Sequence, residues 1–316
     1  MPAPVALLVN PSAGGGRALR VARDVEQALR GHGLEVRRAD TRDIDDAHAL
    51  ARDAASAGET VAVLSGDGMV GAVADALREV QGSILGVLPG GRGNDLARVL
   101  GIPRDPVAAC ALIANGTPRP IDLGLVAASE EAVSGRAFVG IASAGFDSDA
   151  NRIANEAPLW LGGLVYAYAA LRALVAWKPA RFEIELDPPG EARVFTAYSV
   201  GCANSRAYGG GMRAAPHAML DDGLLDVIAS EHVSKREFVT KILPRVFKGT
   251  HVELAGVHEF RCAEVRISAD RPFTMYADGD PIGELPLRVR ALRGAITVLV
   301  PADVGRDSAL AQGGAA

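Results

Sequence analysis

The sequence predicts an α/β N-terminal domain with a parallel sheet, followed by a mostly antiparallel, β-rich C-terminal domain. Over the first 125 residues, short apolar runs alternate with segments of helical periodicity, which is typical of a parallel sheet covered on both faces. After Asp122 the runs are short and separated by turn residues, as in antiparallel sheets. The predicted domains are residues 1–125 and 126–302, with residues 303–316 as a flexible tail. The sequence leaves open whether the last strand returns to the first domain.

The N-terminal elements follow from apolar periodicity and from glycines that end helices. Buried strands are predicted where four or five apolar residues are consecutive, and helices where apolar residues recur every three or four positions. The predicted apolar strands are Val5–Val9, Val61–Leu64 and Ile84–Leu88, and Leu34–Arg38 is predicted as a further strand. The predicted helices are Ala18–Leu29, Ile44–Ala57, Val70–Val80, Asn94–Leu100 and Pro106–Asn115.

The C-terminal half contains β-like runs interrupted by two helical insertions. The insertions are Leu159–Trp177 and the basic amphipathic stretch Ser234–Lys248. The predicted strands are Phe138–Ile141, Phe182–Leu186, Phe195–Cys202, Leu224–Ala229, Glu264–Ser268, Leu285–Val289 and Ala295–Val300.

Composition excludes several classes of function. The 316 residues are 49 % hydrophobic with a net charge of −5 and no Lys/Arg block, so nucleic acid is not an expected partner. The three cysteines are far apart and outside any CxxC pattern, which favours reduced thiols and a cytoplasmic protein. The first apolar run is too short for a signal peptide. The longest apolar stretch, Leu159–Trp177, is interrupted by two glycines and Arg172, which favours a buried or interfacial helix.

Three glycine-rich turns follow predicted strands of the first domain. They are Asn10–Arg17, Ser65–Gly68 and Pro89–Asp95, and ligands of parallel sheets bind at such strand ends. Glycines let backbone N–H groups approach phosphate oxygens, and a carboxylate beside them can bind a metal ion or accept a proton. The combination predicts a nucleotide phosphate site and phosphoryl transfer. The alternatives are simple strand–helix turns and, for Asn94 or Asp95, a helix N-cap.

Four later motifs complete an ordered set. They are Gly145-Phe-Asp147, Tyr208–Pro216, Asp221-Asp-Gly-Leu-Leu-Asp226 and Asp278-Gly-Asp280. Together with the three turns, they make the chain resemble the diacylglycerol-kinase-like lipid kinases, which are related to the sphingosine kinases, over nearly its whole length. Without the resemblance, Asp221–Gly223 and Asp278-Gly279 would be interpreted as hairpin turns.

The resemblance implies a nucleotide crevice between a phosphofructokinase-like (NAD-kinase-like) first domain and the β-rich second domain, with ATP and Mg²⁺ as cofactors. Asp280 would be the base that takes the proton of the lipid hydroxyl, with Asp278 and Asp67 nearby. Asp222 and the carbonyls of Met219 and Leu224 would hold Mg²⁺. The residues implied for the nucleotide site are Asn10, Pro11, Ser12, Ala13, Gly14, Thr41, Ser65, Gly66, Asp67, Gly68, Met69, Val70, Gly71, Arg92, Asn94 and Asp95.

The chain departs from the family pattern mainly in its nucleotide half. Ser65 replaces a glycine, Met69 and Arg92 replace threonines, and Gly71-Ala72 replaces Asn-Glu. An arginine can pair with phosphate or block the pocket. In the second half, Asp280 is one methylene shorter than the usual glutamate.

The leading hypothesis is an ATP- and Mg²⁺-dependent kinase for a hydroxyl of diacylglycerol or a related lipid. The alternatives are a non-catalytic relative that binds nucleotide or lipid, and an NAD kinase. The expected location is cytoplasmic and peripheral to a membrane, with the basic helix Ser234–Lys248 as a candidate contact and a surface helix docked on the sheet as its alternative. The aromatic residues of Leu159–Trp177 are candidates for a lipid channel or for core. A homodimer is a candidate assembly.

Overall fold

The computed structural model describes residues 3–127, 135–156, 165–303 and 308–310. The N-terminal half is a parallel sheet in the order β4-β3-β1-β2. Its strands are β1 (Val5–Val9), β2 (Val36–Asp40), β3 (Thr60–Ser65) and β4 (Ile84–Pro89). Its helices are α1 (Ala13–Gly31), α2 (Ile44–Ser56), α3 (Asp67–Leu77), α4 (Asp95–Val99) and α5 (Pro106–Asn115). Every residue of β1 and β3 is buried, as expected for strands covered on both faces.

The C-terminal half is built mainly from antiparallel pairs. Its first part contains β5 (Thr117–Ala127), β6 (Arg136–Phe138), β7 (Ile141–Gly145), α6 (Phe146–Glu156), α7 (Val165–Ala176), β8 (Ala180–Leu186), β9 (Ala192–Ala203) and β10 (Leu225–Glu231). A helical segment follows, made of Lys235–Glu237, a π-helical Phe238–Ile242 and Leu243–Val246, then a 3₁₀ turn at His251–Glu253. The chain continues through β11 (Val257–Cys262), β12 (Glu264–Ala269), β13 (Thr274–Ala277), β14 (Asp280–Glu284) and β15 (Leu287–Val300).

The two halves share one continuous sheet. The end of β15 lies parallel to β4, with Thr297 and Val298 beside Ile84 and Leu85. β15 also pairs antiparallel with β5 and with β12. The second half has its own core, in which the aromatic rings of Phe146, Trp177, Tyr198 and Phe238 contact one another. The predicted fold class is therefore confirmed. The predicted domain boundary at residue 125 falls inside β5.

Several predicted boundaries were wrong. The strand expected at Phe138–Ile141 is divided between β6 and β7, because the N–H groups of Val139 and Gly140 bond to Asp278 rather than to a neighbouring strand. The two strands expected at Leu285–Val289 and Ala295–Val300 are one strand, β15, whose register with β5 shifts between Leu292 and Ile296. Helix α6 and strands β5, β11, β13 and β14 were not predicted.

Two further expectations need correction. Ser308–Leu310 does not behave as a tail, because Ala309 is buried and bonds to the backbone of Val99 and Leu220. The helix predicted at Ser234–Lys248 contains a π turn just before Pro244, which lacks the N–H that a regular helix would use. The first part of the predicted helix Leu159–Trp177 lies outside the described residues.

Candidate active site

The three glycine-rich turns converge at the carboxyl ends of β1, β3 and β4. They approach one another closely: a Cβ on Gly14 would lie 2.5 Å from the carbonyl oxygen of Gly90, and one on Gly91 would overlap Gly66. The N–H groups of Gly90 and Gly91 both bond to the carbonyl of Ser65. Glycine is required at these positions because the loop backbones are in contact.

A polar cavity of about 380 Å³ lies above these turns. Two helices begin at its wall. Near the start of α1, Gly14, Gly15 and Gly16 all have positive φ and form a glycine turn before the regular helix. α3 starts at Asp67 after Gly66, with no side chain capping it. Free N–H groups at a helix N-terminus and in a glycine turn bind anions such as phosphate. The cavity can therefore accept the phosphates of a nucleotide.

Twelve of the sixteen predicted nucleotide-site residues line this cavity: Asn10, Ser12, Ala13, Gly14, Ser65, Gly66, Asp67, Gly68, Met69, Val70, Arg92 and Asp95. The other four shape its surroundings. The hydroxyl of the buried Thr41 bonds to the carbonyl of Val9, and Asn94 closes its own loop through two hydrogen bonds with Gly91. Gly71 lies against Asp278, and Pro11 belongs to the turn between β1 and α1.

Two aspartates of the first half connect the loops around the cavity. Asp67 Oδ1 accepts the N–H of Leu96 at 3.1 Å, and Asp95 Oδ2 accepts the N–H of Gly210 at 2.7 Å. Asp95 also forms an ion pair with Arg98. Burial, with the nearby charge of Asp95, raises the pKa of Asp67. The glycine stretch 209–211 of the second half thereby contacts the loop that holds Asp95, beside the glycine-rich turns of the first half.

Asp278 and Asp280 flank the tight turn between β13 and β14. Asp278 lines the cavity, and its two carboxylate oxygens accept the N–H groups of Val139 and Gly140, each at 2.8 Å. Burial raises the pKa of Asp278 to about 6, against the effect of these hydrogen bonds. Asp280 forms a 3.3 Å ion pair with Arg136, and its Oδ2 lies 3.8 Å from where a Cβ on Gly68 would be. The hairpin turn considered as the alternative is therefore present, and it places both carboxylates near the glycine-rich turn that follows β3.

A second, apolar cavity of about 550 Å³ lies in the C-terminal half. Its wall includes Phe146, Ala170, Phe238, Ile242 and Val246. Its acidic residue is Asp147, which is hydrogen-bonded to Ser199 and has a pKa raised to about 6 by burial. An apolar pocket with few polar groups suits an alkyl chain attached to a polar head.

The two cavities meet at a neck. Seven residues line both: Arg92, Gly93, Ile141, Ser143, Tyr208, Gly209 and Gly210. Sequence reasoning did not assign Ser143, Tyr208 or Gly210 to the site, although the glycine stretch after Tyr208 was a signal for it. The hydrogen bonds from the N–H groups of Val139 and Gly140 to Asp278 could not be predicted from the sequence, because backbone N–H groups are independent of residue type.

The predicted metal ligands lie apart from both cavities. Asp222 forms an ion pair with Arg261, and its other oxygen accepts the N–H of Leu224 at 3.0 Å. Beside them Asp226 is fully buried, with no hydrogen bond to either carboxylate oxygen and Arg261 Nε 3.6 Å away. Across residues 3–127, 135–156, 165–303 and 308–310, no group of three or more His, Cys, Asp or Glu side chains is arranged to hold a metal. A buried carboxylate with no hydrogen bond, together with the other oxygen donors here, has the chemistry that a hard divalent cation prefers.

Comparison with known proteins assigns the family. Residues 4–126 match the family described as diacylglycerol kinase catalytic domain, and residues 140–300 match the YegS C-terminal NAD kinase beta sandwich-like domain. The chain belongs to the diacylglycerol kinase family. It is therefore a kinase of the lipid-kinase class, as the resemblance implied.

Similar proteins span nearly the whole chain. A diacylglycerol kinase of Mycobacterium tuberculosis is 34 % identical over 301 residues, covering 94 % of this chain and 95 % of its own. A probable lipid kinase YegS-like of Stenotrophomonas maltophilia is 31 % identical over 308 residues, covering 94 % and 96 %. The crystal structure of a Bacillus anthracis diacylglycerol kinase superposes with a TM-score of 0.74 at 21 % identity, over 96 % and 98 % of the two chains, and supports the fold of this family member. Among the described residues, no helix has the length and apolar character needed to cross a membrane.

Proposed function

We propose that the chain is an ATP- and Mg²⁺-dependent kinase that phosphorylates a hydroxyl of diacylglycerol or a related lipid. The observation that carries this proposal is the neck: a cavity with a helix N-terminus and a glycine turn for phosphate shares wall residues with an apolar cavity for an alkyl chain. A lipid hydroxyl held at the neck would face the γ-phosphate of a nucleotide in the polar cavity. Positioning of this kind is the main requirement of phosphoryl transfer.

The proton acceptor would come from Asp278 or Asp280, which flank the turn between β13 and β14 beside the polar cavity. Both oxygens of Asp278 are used by backbone N–H groups, whereas among the described residues the Asp280 carboxylate is paired with Arg136 alone. Asp280 therefore takes the proton as the lipid oxygen bonds to the γ-phosphorus and ADP departs. Asp278 holds the turn between β13 and β14 in place, and the hydrogen bonds of Asp67 and Asp95 hold the glycine-rich turns next to it.

For Mg²⁺, Asp222 and the carbonyls of Met219 and Leu224 are the proposed ligands. A bound cation would supply the positive charge that Arg261 now gives to Asp222. Asp122 stabilises the loop that contains these ligands, because its carboxylate accepts the N–H groups of Gly223 at 2.6 Å and Gly294 at 2.7 Å. Because these ligands do not line the polar cavity, their role is to order the loop before β10.

An anionic bilayer is the proposed docking partner. Apolar side chains protrude from two neighbouring helical segments: Leu171 (62 % exposed) and Val175 (72 %) on α7, and Val239 (41 %) and Phe247 (56 %) on the basic segment 235–247. Lys235 Nζ donates to the carbonyl of Val175 at 2.7 Å and joins the segments. We call these four residues the docking face. The same stretch of chain carries four exposed basic residues, Arg236, Lys241, Arg245 and Lys248.

The docking face is continuous with the apolar cavity, because Leu243, Val246 and Phe247 belong to the cavity wall. An apolar surface with a basic rim complements an anionic lipid surface. Docking there would bring the cavity mouth to the lipid, so the protein would act as a peripheral membrane enzyme.

Incubation with γ-labelled ATP, Mg²⁺ and mixed micelles tests the function. The micelles carry diacylglycerol, monoacylglycerol, ceramide or sphingosine in separate reactions. We expect label in one lipid class, lost in Asp280→Asn, whose nucleotide binding is retained. If no lipid is labelled while ATP binds, the chain is a non-catalytic relative or acts on another acceptor. Phosphorylation of NAD would instead indicate an NAD kinase, although the apolar cavity has no role in that reaction.

A further inference from the structure

Arg92 occupies the neck between the two cavities. It follows β4 in the loop Pro89–Asp95, flanked by Gly91 and Gly93, and its exposed side chain lines both the polar and the apolar cavity. A Cβ on Gly93 would lie 2.8 Å from Asp67 Oδ2, so the loop passes directly over the phosphate turn that follows β3. No described residue forms a hydrogen bond or ion pair with Arg92, and its guanidinium is available to a ligand.

The charge of the site gives this arginine its importance. The other charged side chains on the described walls are acidic: Asp67, Asp95 and Asp278 in the polar cavity and Asp147 in the apolar one. The neighbouring cations are already paired, Arg98 with Asp95 and Arg136 with Asp280. Arg92 is thus the one unpaired Lys or Arg on the described walls of both cavities. A nucleotide triphosphate adds further negative charge to this acidic site, and most of all at the γ-phosphate.

We propose that Arg92 is a catalytic residue that contacts the γ-phosphoryl group as it passes from nucleotide to lipid hydroxyl. The inference deepens the proposed function and rests on it. A guanidinium presents a planar fork of donors that matches two phosphate oxygens, and it stays charged throughout the reaction. Placed at the neck, it meets the one phosphoryl group that must cross between the cavities. An arginine in this role typically accelerates phosphoryl transfer by about 10³–10⁵-fold.

A contact with the γ-phosphate can be separated from nucleotide binding in general by comparing a nucleotide that has this group with one that lacks it. The β,γ-imido analogue of ATP, which carries a γ-phosphate and resists transfer, and ADP are titrated into the protein by calorimetry without lipid. In Arg92→Ala we expect Kd for the analogue to rise about 10-fold or more, with Kd for ADP unchanged, since one charge-assisted contact is removed. Arg92→Lys should restore part of the difference. Arg104→Ala removes an exposed arginine of the same half that lines neither cavity, and should leave both Kd values unchanged.

Lipid labelling provides the second readout. With the lipid that the wild-type protein phosphorylates, kcat should fall about 100-fold or more in Arg92→Ala and Arg92→Thr. Equal weakening of both nucleotides, unchanged binding of both, or faster transfer after removal of Arg92 would overturn the proposal. If the wild-type protein labels no lipid, the proposed function fails alone, and the comparison of the analogue with ADP still decides whether Arg92 contacts the γ-phosphate. If neither nucleotide binds to the wild-type protein, both proposals fall.

Discussion

A 2.7 Å hydrogen bond from the backbone N–H of Gly210 to Asp95 Oδ2 joins the two halves of the chain across the candidate site. Asp95 belongs to the N-terminal half and is also paired with Arg98, while Gly210 lies in the glycine stretch at the neck. This bond therefore fixes the neck at which the polar cavity meets the apolar cavity.

Replacing Asp95 with alanine should loosen this connection. Loss of a buried charged acceptor typically costs about 1–3 kcal/mol, because the N–H of Gly210 and the guanidinium of Arg98 are left without it. We expect the melting temperature to fall by a few degrees and KM for ATP to rise. Asp24→Ala, at an exposed position on α1, is the matched control. A melting temperature equal to that of the control would show that the bond does not hold the halves together.

Gly71 is expected to tolerate no side chain. A Cβ there would lie 2.6 Å from Asp278 Oδ2 and would push the carboxylate away from the N–H groups of Val139 and Gly140. Gly71→Ala should therefore lower both the melting temperature and turnover. In Gly31→Ala, at the end of α1, the new Cβ meets nothing within 4 Å, and stability should be unchanged or slightly higher. Wild-type turnover in Gly71→Ala would contradict the position assigned to Asp278.

Stability should decline as pH rises from about 4 to about 6. Burial raises the pKa of Asp147, Asp226 and Asp278 to about 6 each, above the unfolded value of about 3.9. The folded state then binds more protons than the unfolded state, so the stability these groups contribute at low pH is lost as pH rises through their folded pKa. Thermal unfolding between pH 4 and pH 8 measures the trend.

The variant Asp147→Asn isolates one of these groups. It should flatten the decline over the same pH range, because the amide does not titrate. Asp149→Asn, on the exposed side of the same helix, serves as its control. A wild-type stability that climbs steadily from pH 5 to pH 7 would contradict the burial assigned to these carboxyl groups.

The proposed magnesium ligands predict a competition with Arg261. Mg²⁺ should raise the melting temperature of the wild-type protein, because an ion bound only by the folded state stabilises it. Asp222→Asn should abolish the increase, and Arg261→Gln should produce it at lower Mg²⁺ concentrations, since the guanidinium no longer occupies the carboxylate. An Mg²⁺ effect that persists in Asp222→Asn would place the ion elsewhere.

The docking face predicts binding to anionic vesicles. The protein should sediment with vesicles rich in phosphatidylglycerol and much less with pure phosphatidylcholine, and salt should weaken the binding. The double variant Val175→Ser/Phe247→Ser should lose most of it. Val107→Ser and Leu19→Ser remove exposed apolar side chains on α5 and α1 and should bind normally. Equal binding of the two sets of variants would exclude this face as the membrane contact.

The sequence was most informative where local pattern decides the structure. Helix α5 begins and ends at the predicted residues, and the buried strands of the first half lie within two residues of their predicted limits, because β1, β3 and β4 are continuous apolar runs. The glycine-rich turns were also correctly grouped, since strand ends of a parallel sheet meet at one edge.

The remaining features depend on long-range pairing. Strands β13 and β14 flank a two-residue turn that apolar periodicity does not reveal, and the division between β6 and β7 arises from Asp278, more than a hundred residues away. The apolar cavity likewise requires α6, α7 and the segment 235–247 to pack around β9. No local pattern encodes such a neighbourhood, so the neck and the position of Arg92 could be found only in three dimensions.

The most direct measurement is transfer of γ-labelled phosphate from ATP to a lipid in mixed micelles by the wild-type protein and Asp280→Asn. We predict that the wild-type protein labels diacylglycerol or a related lipid. The variant should bind ATP with similar affinity and label no lipid. Labelling that persists in Asp280→Asn would contradict the assignment of the base, and the absence of any labelled lipid with ATP bound would contradict the lipid kinase itself.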